Sequence, residues 1–386
     1  MNSKKRLELA MNSKEADRVP LMCQLSMGHY FLHSGFDPVE VWCTSERFAE
    51  ALVRLQERYQ FDGILVNLPG RSENWEKHVR KTERQSSFTR IEWDKGGNTV
   101  FPFDDNPRFK GSTPGATVTF EALRPEDLYY VEPWGLSGLN YPYAWDFDEG
   151  CIGFPPYQQD TLKQVIRQVD GSVSVHAEVF SPWSQFLELL GYENGLMGIM
   201  DDAAKVKECL NRLVVGASDL GYLHAREGVD AILISSAFAG GGFISREHYR
   251  EFVLPCERSL VEELRKHFTG PVYTHTCGSI GDRLDLMLMT GTDGIDTLDP
   301  PPLGTVDLEE AKTILQGKAF IKGNIDPVNT LLNGSRDDVK RDARYRLTVG
   351  KPGGGYILST ACSVAPKTPP ENIEALYESV SAYGSY

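Results

Sequence analysis

The sequence lacks an excess of basic residues, because 40 Lys and Arg stand against 54 Asp and Glu and give a formal net charge of −14. A nucleic-acid-binding surface needs clustered positive charge, so we expect no nucleic-acid partner. The sequence also lacks any run approaching the roughly 18 apolar residues of a membrane span. No apolar stretch follows the basic residues near the N-terminus, as a signal peptide would require. We therefore expect a cytoplasmic protein that does not bind membranes.

Cysteine is scarce and unevenly spaced, with seven residues at positions 23, 43, 151, 209, 256, 277 and 362. An odd, scattered set without an export signal predicts reduced thiols and not a disulfide framework. Internal repeats and low-complexity tracts are absent as well. Hydrophobic residues make up 41% of the chain, which is enough to bury a substantial core.

Eight short apolar runs are present, and most are nearly continuous, which is typical of parallel strands buried on both faces. They are residues 19–26, 61–68, 172–181, 229–238, 271–277, 292–299, 318–326 and 355–362. Amphipathic helical stretches lie between most of them, at residues 46–59, 202–223, 247–267, 282–289 and 336–348. This alternation predicts an α/β fold, and eight units predict a closed (β/α)8 TIM barrel over residues 1–386. A doubly wound open sheet is the alternative.

Residues 69–163 contain no clear barrel unit and are dense in aromatic residues, Pro, Gly and acidic residues. Within them, residues 87–103 resemble a β-hairpin. We interpret the segment as an insertion after the second strand that caps the C-terminal face of the barrel, where such a cap shapes a pocket. The alternative is a peripheral decoration.

The fifth apolar run ends in Thr274-His275-Thr276-Cys277-Gly278. Because side chains alternate along a strand, His275 and Cys277 point to one side, and an imidazole with a thiolate suits zinc. The eighth run ends at Cys362, and strands five and eight of a barrel open onto the same mouth. The three side chains predict a zinc site with an open fourth position. The alternative is that a buried Cys is a small apolar filler, which we expect for the other five.

Polar residues also follow other predicted strands, at the face where barrel enzymes bind their substrates. The candidates for substrate binding are Gln24, His29, Tyr30, Asn67, Asn324 and Asp326. Glu178 and Asp299 are candidate catalytic residues or a fourth zinc ligand. Each of these residues taken alone is also compatible with a purely structural hydrogen-bonding role. The triplets Gly240–Gly242 and Gly353–Gly355 lack the pattern of a nucleotide-binding loop, so we expect them to serve turn geometry.

Several segments resemble the uroporphyrinogen decarboxylase superfamily. They are KKRLELAMNSKEADRVPLM, FDGILV, HTCGSIGDRLDLMLMTGTDGIDTLD, FIKGNIDPVNTLLNGSRDDVKRDAR and GGGYILSTACSVAPKTPPENIEALYESV. The resemblance implies the barrel fold independently of the strand count. The decarboxylase itself is a poor match, since its substrate-binding arginines are absent from residues 23–30 and Asn67 stands near the position of its aspartate.

The His-X-Cys…Cys pattern is similar to that of the methyltransferase branch, which includes methylcobalamin:coenzyme M methyltransferases. The resemblance implies that His275, Cys277 and Cys362 bind Zn²⁺, with Asp299 or Asp296 near the fourth position. It also implies methyl transfer between a corrinoid and a small thiol, folate or methylated compound. The chain has no Asp-X-His-X-X-Gly motif, so a separate corrinoid protein is expected to supply methylcobalamin. A homodimer is compatible with the family.

Two alternatives to a methyltransferase stay open at this point. One is a decarboxylase or lyase of the same superfamily that needs no metal. The other is a barrel without catalytic activity that binds a small ligand or a tetrapyrrole.

Overall fold

The computed structural model describes residues 1–111, 118–132 and 153–386. Seven of its strands form a curled parallel sheet in which neighbours follow chain order, and four form an antiparallel sheet. The parallel strands are β1 (Gly63–Val66), β6 (Ser174–Phe180), β7 (Ala231–Ser235), β8 (Val272–Thr276), β9 (Gly294–Thr297), β10 (Phe320–Ile325) and β11 (Tyr356–Thr360). The antiparallel strands are β2 (Val79–Arg84), β3 (Phe88–Trp93), β4 (Asn98–Pro102) and β5 (Arg108–Lys110). The strand order of the parallel sheet does not reverse, unlike that of a doubly wound fold.

Each of the last seven predicted apolar runs contains one parallel strand, while residues 19–26 form isolated bridges instead of a regular strand. Leu21 and Leu25 pair with Leu358 and Val364 on one side. On the other side the Asp62 N–H donates to the Leu21 carbonyl at 2.7 Å. Pro20 accepts from Leu358 but has no N–H with which to extend the ladder.

The predicted amphipathic stretches are helical, and their apolar faces pack on the sheet. In α4, Phe48, Leu52 and Leu55 are buried as the 3.6-residue period requires. The helices are α1 (Ser3–Met11), α2 (Met27–His33), α3 (Pro38–Cys43), α4 (Ser45–Tyr59), α5 (Asp160–Val169), α6 (Pro182–Leu190), α7 (Tyr192–Asp201), α8 (Ala203–Glu227), α9 (Arg246–His248), α10 (Leu254–Arg265), α11 (Leu284–Leu288), α12 (Leu308–Leu315), α13 (Arg336–Gly350) and α14 (Pro370–Tyr383). Two π-helical turns cover Tyr249–Val253 and Pro327–Leu332, and 3-10 turns cover Trp75–His78, Pro125–Asp127 and Gly281–Arg283.

The antiparallel sheet lies within the predicted insertion, and the predicted hairpin corresponds to β3 and β4. Its edges contact the segments that follow residues 19–26 and β11. Arg84 pairs with Asp37 beside α3, and Asp104 pairs with Lys367 at 2.7 Å. Helix α5 already begins at Asp160, so the last residues of the predicted insertion belong to the regular β/α alternation.

Two rows of side chains two residues apart fill much of the space inside the curled sheet. Register pairs Leu233, Tyr273, Gly294 and Phe320 in one row, and Ser235, His275, Asp296 and Lys322 in the next. The three side chains of the first row, those of Leu233, Tyr273 and Phe320, belong to an apolar cluster that also contains Leu7, Ala10 and Met11 of α1. The N-terminal end of the sheet is therefore apolar and covered by α1, whereas the C-terminal end carries the charged groups.

The described helices include none with both the length and the apolar character needed to cross a bilayer. Six described cysteines are free thiols, and four of them, Cys23, Cys43, Cys209 and Cys256, are buried as predicted. Cys151 lies outside the described residues.

Candidate metal centre

His275, Cys277 and Cys362 meet at the C-terminal end of the parallel sheet. His275 lies in β8, Cys277 directly follows it, and Cys362 follows β11 by two residues. The His275 Nε2 atom lies 3.2 Å from the Cys277 sulfur, which lies 3.5 Å from the Cys362 sulfur. The three ligand atoms all lie within 4.8 Å of one another. The predicted convergence of the three side chains is therefore present.

These separations fit a zinc ion. A tetrahedral zinc at about 2.3 Å from sulfur and about 2.0 Å from nitrogen separates two sulfurs by about 3.8 Å and sulfur from nitrogen by about 3.5 Å. The two separations in the structure are each within about 0.3 Å of these values. The donor set of one imidazole and two thiols is also one that zinc prefers.

A buried ion pair between Asp296 and Lys322 orients the His275 ring. The Nδ1 atom of His275 lies 3.0 Å from Asp296 Oδ2, and the Lys322 ammonium donates to Asp296 Oδ1 at 2.9 Å. Burial alone raises the pKa of the Asp296 carboxyl, but Lys322 and His275 outweigh it and lower that pKa to about 2. An ionised Asp296 accepts a hydrogen bond from the Nδ1–H group, so Nε2 is the atom that would bind the metal after losing its own proton, and such a partner is the usual support for a zinc-binding histidine.

The pKa of the Cys362 thiol is well below its ordinary value, because the Cys277 thiol donates a hydrogen bond to it and His275 adds positive charge. Burial opposes this shift without cancelling it. A thiolate is the form that binds a metal, so the surroundings of Cys362 favour the ligand state even before an ion enters.

Asp299 lies beside the three candidate ligands. Gly278 has a φ of 79°, and its N–H donates to Asp299 Oδ2 at 2.6 Å. The glycine therefore makes a sharp turn after Cys277, and its N–H group at the same time holds the Asp299 carboxylate. Burial, together with the negative charge of Cys362, raises the pKa of Asp299 to about 6. Asp296 has both oxygens engaged, whereas Asp299 has one oxygen engaged by Gly278.

Glu178 in β6 faces the same interior. Its Oε2 atom is buried and has no hydrogen-bond partner among the described residues. Burial raises the pKa of the Glu178 carboxyl to about 7, against the opposing effects of His275 and the Ser235 hydroxyl. A carboxyl poised near neutrality can accept or donate a proton, which is the property of a general acid–base group.

The structure brings three of the predicted substrate-binding residues together. Gln24, Tyr30 and Asn67 line one cavity beside β1, and the Gln24 Oε1 atom is buried without a hydrogen-bond partner among the described residues. Tyr30 also packs edge-on against Phe48.

The other three are held by structural hydrogen bonds. His29 is fully buried, with its ring nitrogens 3.1 Å from the Pro366 carbonyl and 2.8 Å from the Tyr59 hydroxyl. Asn324 donates to the Leu298 carbonyl and accepts from Arg346. Asp326 accepts the N–H groups of Val328 and Asn329 and so caps the following π-helical turn.

Sequence reasoning missed Lys322, Ser235 and Glu132. A lysine in the middle of the apolar strand Phe320–Ile325 is a signal that could have identified Lys322, because a fully buried ammonium needs a carboxylate partner. Ser235 and Glu132 gave no comparable signal, since serine is common at strand ends and Glu132 follows no strand.

Comparison with known proteins gives the chain a family. The family model described as Uroporphyrinogen decarboxylase (URO-D) matches residues 147–383. The chain belongs to the uroporphyrinogen decarboxylase family. The structure of this family member is similar to that of a methyltransferase from Methanosarcina mazei. The similarity covers 99% of both chains, with a TM-score of 0.68 and 17% sequence identity. That likeness shows a shared fold.

Curated relatives of this family member carry two kinds of name. The methylcobamide:CoM methyltransferase MtbA of Methanosarcina acetivorans is 30% identical over 181 residues, 46% of this chain and 50% of that protein. The methylated-thiol–coenzyme M methyltransferase of Methanosarcina mazei is 24% identical over 57% of this chain and 56% of its own length. The uroporphyrinogen decarboxylase of Alkalilimnicola ehrlichii is 27% identical over 58% and 61%. Each match covers less than two thirds of the relative.

Proposed function

We propose that this protein is a zinc-dependent methyltransferase that moves a methyl group between a corrinoid protein and a small thiol, folate or methylated compound. The observation that carries the proposal is the convergence of His275, Cys277 and Cys362 at zinc-binding separations, with Asp296 behind the imidazole. The names of two relatives, a methylcobamide:CoM methyltransferase and a methylated-thiol–coenzyme M methyltransferase, support the same chemistry.

His275, Cys277 and Cys362 would hold the zinc, and Asp299 is the proposed fourth ligand or a catalytic group at the open position. Zinc held there would supply a Lewis acid, which would favour the ionised form of a substrate thiol at neutral pH. Asp296 keeps the proton of His275 on Nδ1. Glu178 would accept or return the substrate proton at the interior face of β6, and Gln24, Tyr30 and Asn67, which line one small cavity beside β1, are the proposed substrate contacts.

The methyl-carrying corrinoid would come from a partner protein, and the substrate would enter between that partner and the sheet. We further propose that the parallel sheet and residues 19–26 close a single (β/α)8 barrel over residues 1–386. Its cap would be residues 69–163 on the C-terminal face. The hydrogen bonds that residues 19–26 make to both neighbours, and the pairing of Asp104 with Lys367, support this arrangement.

Metal analysis and a methyl-transfer assay test the proposal together. We expect about one zinc per chain in the purified protein and near none in Cys362→Ala or His275→Ala, because two donors do not hold a catalytic zinc. Methyl transfer from methylcobalamin to a thiol should fall about a thousandfold in both variants, as expected when about 4 kcal/mol of charge stabilisation is lost. Cys209→Ala is the matched control, since Cys209 is a buried thiol outside the three-residue site.

The outcomes separate the metal site from the reaction. A wild-type protein that neither contains nor takes up zinc would overturn both parts of the proposal. Zinc binding that depends on Cys362, without methyl movement to or from thiols, folates or methoxy compounds, would leave the metal centre and overturn the reaction.

A metal-independent decarboxylase is the second candidate, and the uroporphyrinogen decarboxylase of Alkalilimnicola ehrlichii among the relatives favours it. The absence of arginine from residues 23–30 argues against it, because the carboxylates of a tetrapyrrole need cationic partners. Release of CO₂ from a tetrapyrrole carboxylate by zinc-free protein would decide for this candidate.

A further inference from the structure

Two acidic residues that are not among the three candidate zinc ligands line the same cavity. Glu132, from the predicted insertion, and Glu178, from β6, line one small cavity at the C-terminal ends of β1 and β6. Asn67 and Gln158 line it as well, and the remaining walls are largely apolar, with Phe180 among them. Four residues whose side chains carry carboxylate or amide oxygens therefore line one small cavity.

The two carboxyl groups have no cationic partner on the described wall of the cavity. Lys and Arg are absent from the described residues that line it. His224 lines it too, but its ring nitrogens contact Gln159 and the Glu178 carbonyl. Burial lowers the pKa of His224 to about 4, so this imidazole is neutral at pH 7. Arg71 does not line the cavity, but its positive charge lowers the pKa of Glu132 in part, while its guanidinium donates to the carbonyls of Trp42 and Pro69.

The Oε2 atom of Glu178 indicates that the cavity binds a ligand. Its side chain is 7% exposed, and its Oε2 atom has no hydrogen-bond partner among the described residues. A buried carboxylate oxygen without a partner is costly, so it calls for a proton or a cation. Burial raises the pKa of both carboxyls to about 7, with the charge of Glu178 adding to the shift of Glu132 and that of Asp296 to the shift of Glu178, so each carboxyl is unfavourable when it is ionised without a partner.

We propose that Glu132 and Glu178 bind one hard divalent cation of the calcium or magnesium class, at a site distinct from the zinc ligands. Two carboxylates balance the charge of one such ion, and amide oxygens such as those of Asn67 and Gln158 are its usual neutral ligands. The donor set contains oxygen only, which separates it from the nitrogen–sulfur set of His275, Cys277 and Cys362. The bound ion would tie the predicted insertion to β6 and keep Glu178 ionised, so the acid–base role proposed above for Glu178 belongs to the protein without this ion.

The test is isothermal titration of zinc-loaded protein with CaCl₂ and MgCl₂ in metal-free buffer. One ion per chain should bind to the wild-type protein, and Glu132→Gln should weaken binding at least tenfold. Glu126→Gln is the matched control, because Glu126 is an exposed acid of the same segment that pairs with Arg124, and its calcium affinity should not change. The readout is independent of methyl transfer, so its failure and that of the proposed function are distinguishable.

Three results would overturn the proposal. The first is no heat of binding for either ion, which would mean that the two carboxyls share a proton instead. The second is wild-type affinity in Glu132→Gln. The third is Glu132-dependent binding of methylammonium without binding of calcium or magnesium, which would make the cavity a subsite for a cationic substrate. If Glu132→Gln does not fold, Glu132→Asp keeps the charge with a shorter reach and should still bind calcium more weakly.

Discussion

Two neighbouring rows of side chains inside the same sheet have opposite characters. The row of Leu233, Tyr273, Gly294 and Phe320 is apolar, and the row of Ser235, His275, Asp296 and Lys322 is polar or charged. The same four strands contribute both rows, and corresponding residues are two positions apart. Both rows are almost completely excluded from solvent. The contrast therefore arises from residue type alone, and not from a difference in backbone geometry or burial.

The difference shows that one row of the sheet stabilises the fold while the next row carries the charged groups of the candidate site. In the apolar row, Gly294 leaves room for the ring of Phe320, because a β-carbon at Gly294 would lie 2.4 Å from it. In the polar row, Lys322 and Asp296 must compensate each other, since a buried charge without a partner is strongly destabilising. The apolar row stabilises the fold, and that stability offsets the cost of holding charges at the mouth.

The largest expected effect on stability comes from the apolar row. Phe320→Ala should lower the free energy of unfolding by about 3–5 kcal/mol, because Phe320 is fully buried and packs against Tyr273 with ring centroids 5.4 Å apart. Urea unfolding measures the change, and zinc content of the folded variant should stay at the wild-type level. Phe243→Ala, at a 44% exposed position, is the control and should cost much less. Loss of zinc from well-folded Phe320→Ala would show that the two rows are not separable.

The next largest effect is on the pH dependence of stability, and it distinguishes a buried carboxyl that has a cationic partner from one that has none. Asp296, beside Lys322, has a pKa lowered to about 2, whereas burial raises the pKa of Glu257 to about 7 against the uncharged hydroxyls of Ser236 and Tyr249. Between about pH 4.5 and 7 the unfolded chain has lost the Glu257 proton and the folded chain keeps it. Raising the pH through this window therefore favours unfolding, by about 3 kcal/mol in total.

Glu257→Gln isolates this effect, because the amide cannot ionise. Urea unfolding at pH 4.5, 5.5, 6.5 and 7.5 should show wild-type stability falling relative to the variant by about 3 kcal/mol across the window, with no further change above it. A constant difference between the two proteins at all four pH values would show that Glu257 does not titrate within the window.

Most of the fold could be predicted from the sequence, because apolar runs and their spacing are local signals. Seven predicted runs contain the seven parallel strands, and Phe48, Leu52 and Leu55 lie on the predicted buried face of α4. Pro20 explains why residues 19–26 pair only through isolated bridges. The strand β2 and the edge strand β5 were not predicted, since their residues are largely exposed and lack a clear apolar pattern.

The candidate site was only partly accessible from sequence. His275 and Cys277 are two positions apart at the end of one strand, and the order of the strands in the sheet brings Cys362 to them. The support of the site depends on register, which pairs Asp296 with both His275 and Lys322 across β9. Asn324 and Asp326 were predicted as substrate contacts because they end a strand. Their hydrogen bonds to neighbouring backbone and to Arg346 were not visible from that position.

A third, smaller effect tests the support of His275. Lys322→Met leaves Asp296 without its cation and should weaken zinc binding by about 10–100-fold, as loss of outer partners of a zinc-bound histidine does. Competition with a chromophoric chelator measures the affinity. Lys312→Met is the matched control, because Lys312 is also buried but donates to the Gly354 carbonyl, and its zinc affinity should equal that of wild type. Unchanged affinity in Lys322→Met would mean that Asp296 orients His275 without help from the lysine.

The smallest effect concerns Asp326, where the sequence predicts a substrate contact and the structure has a cap. Asp326→Ala should cost about 1 kcal/mol of stability, since the N–H groups of Val328 and Asn329 lose their acceptor. Asp326→Asn keeps an acceptor oxygen and should recover most of that loss. If Asp326 only caps, both variants keep the wild-type KM in the methyl-transfer assay. A raised KM in Asp326→Asn at nearly wild-type stability would instead assign the carboxylate charge to substrate binding, because the amide preserves the cap and removes only the charge.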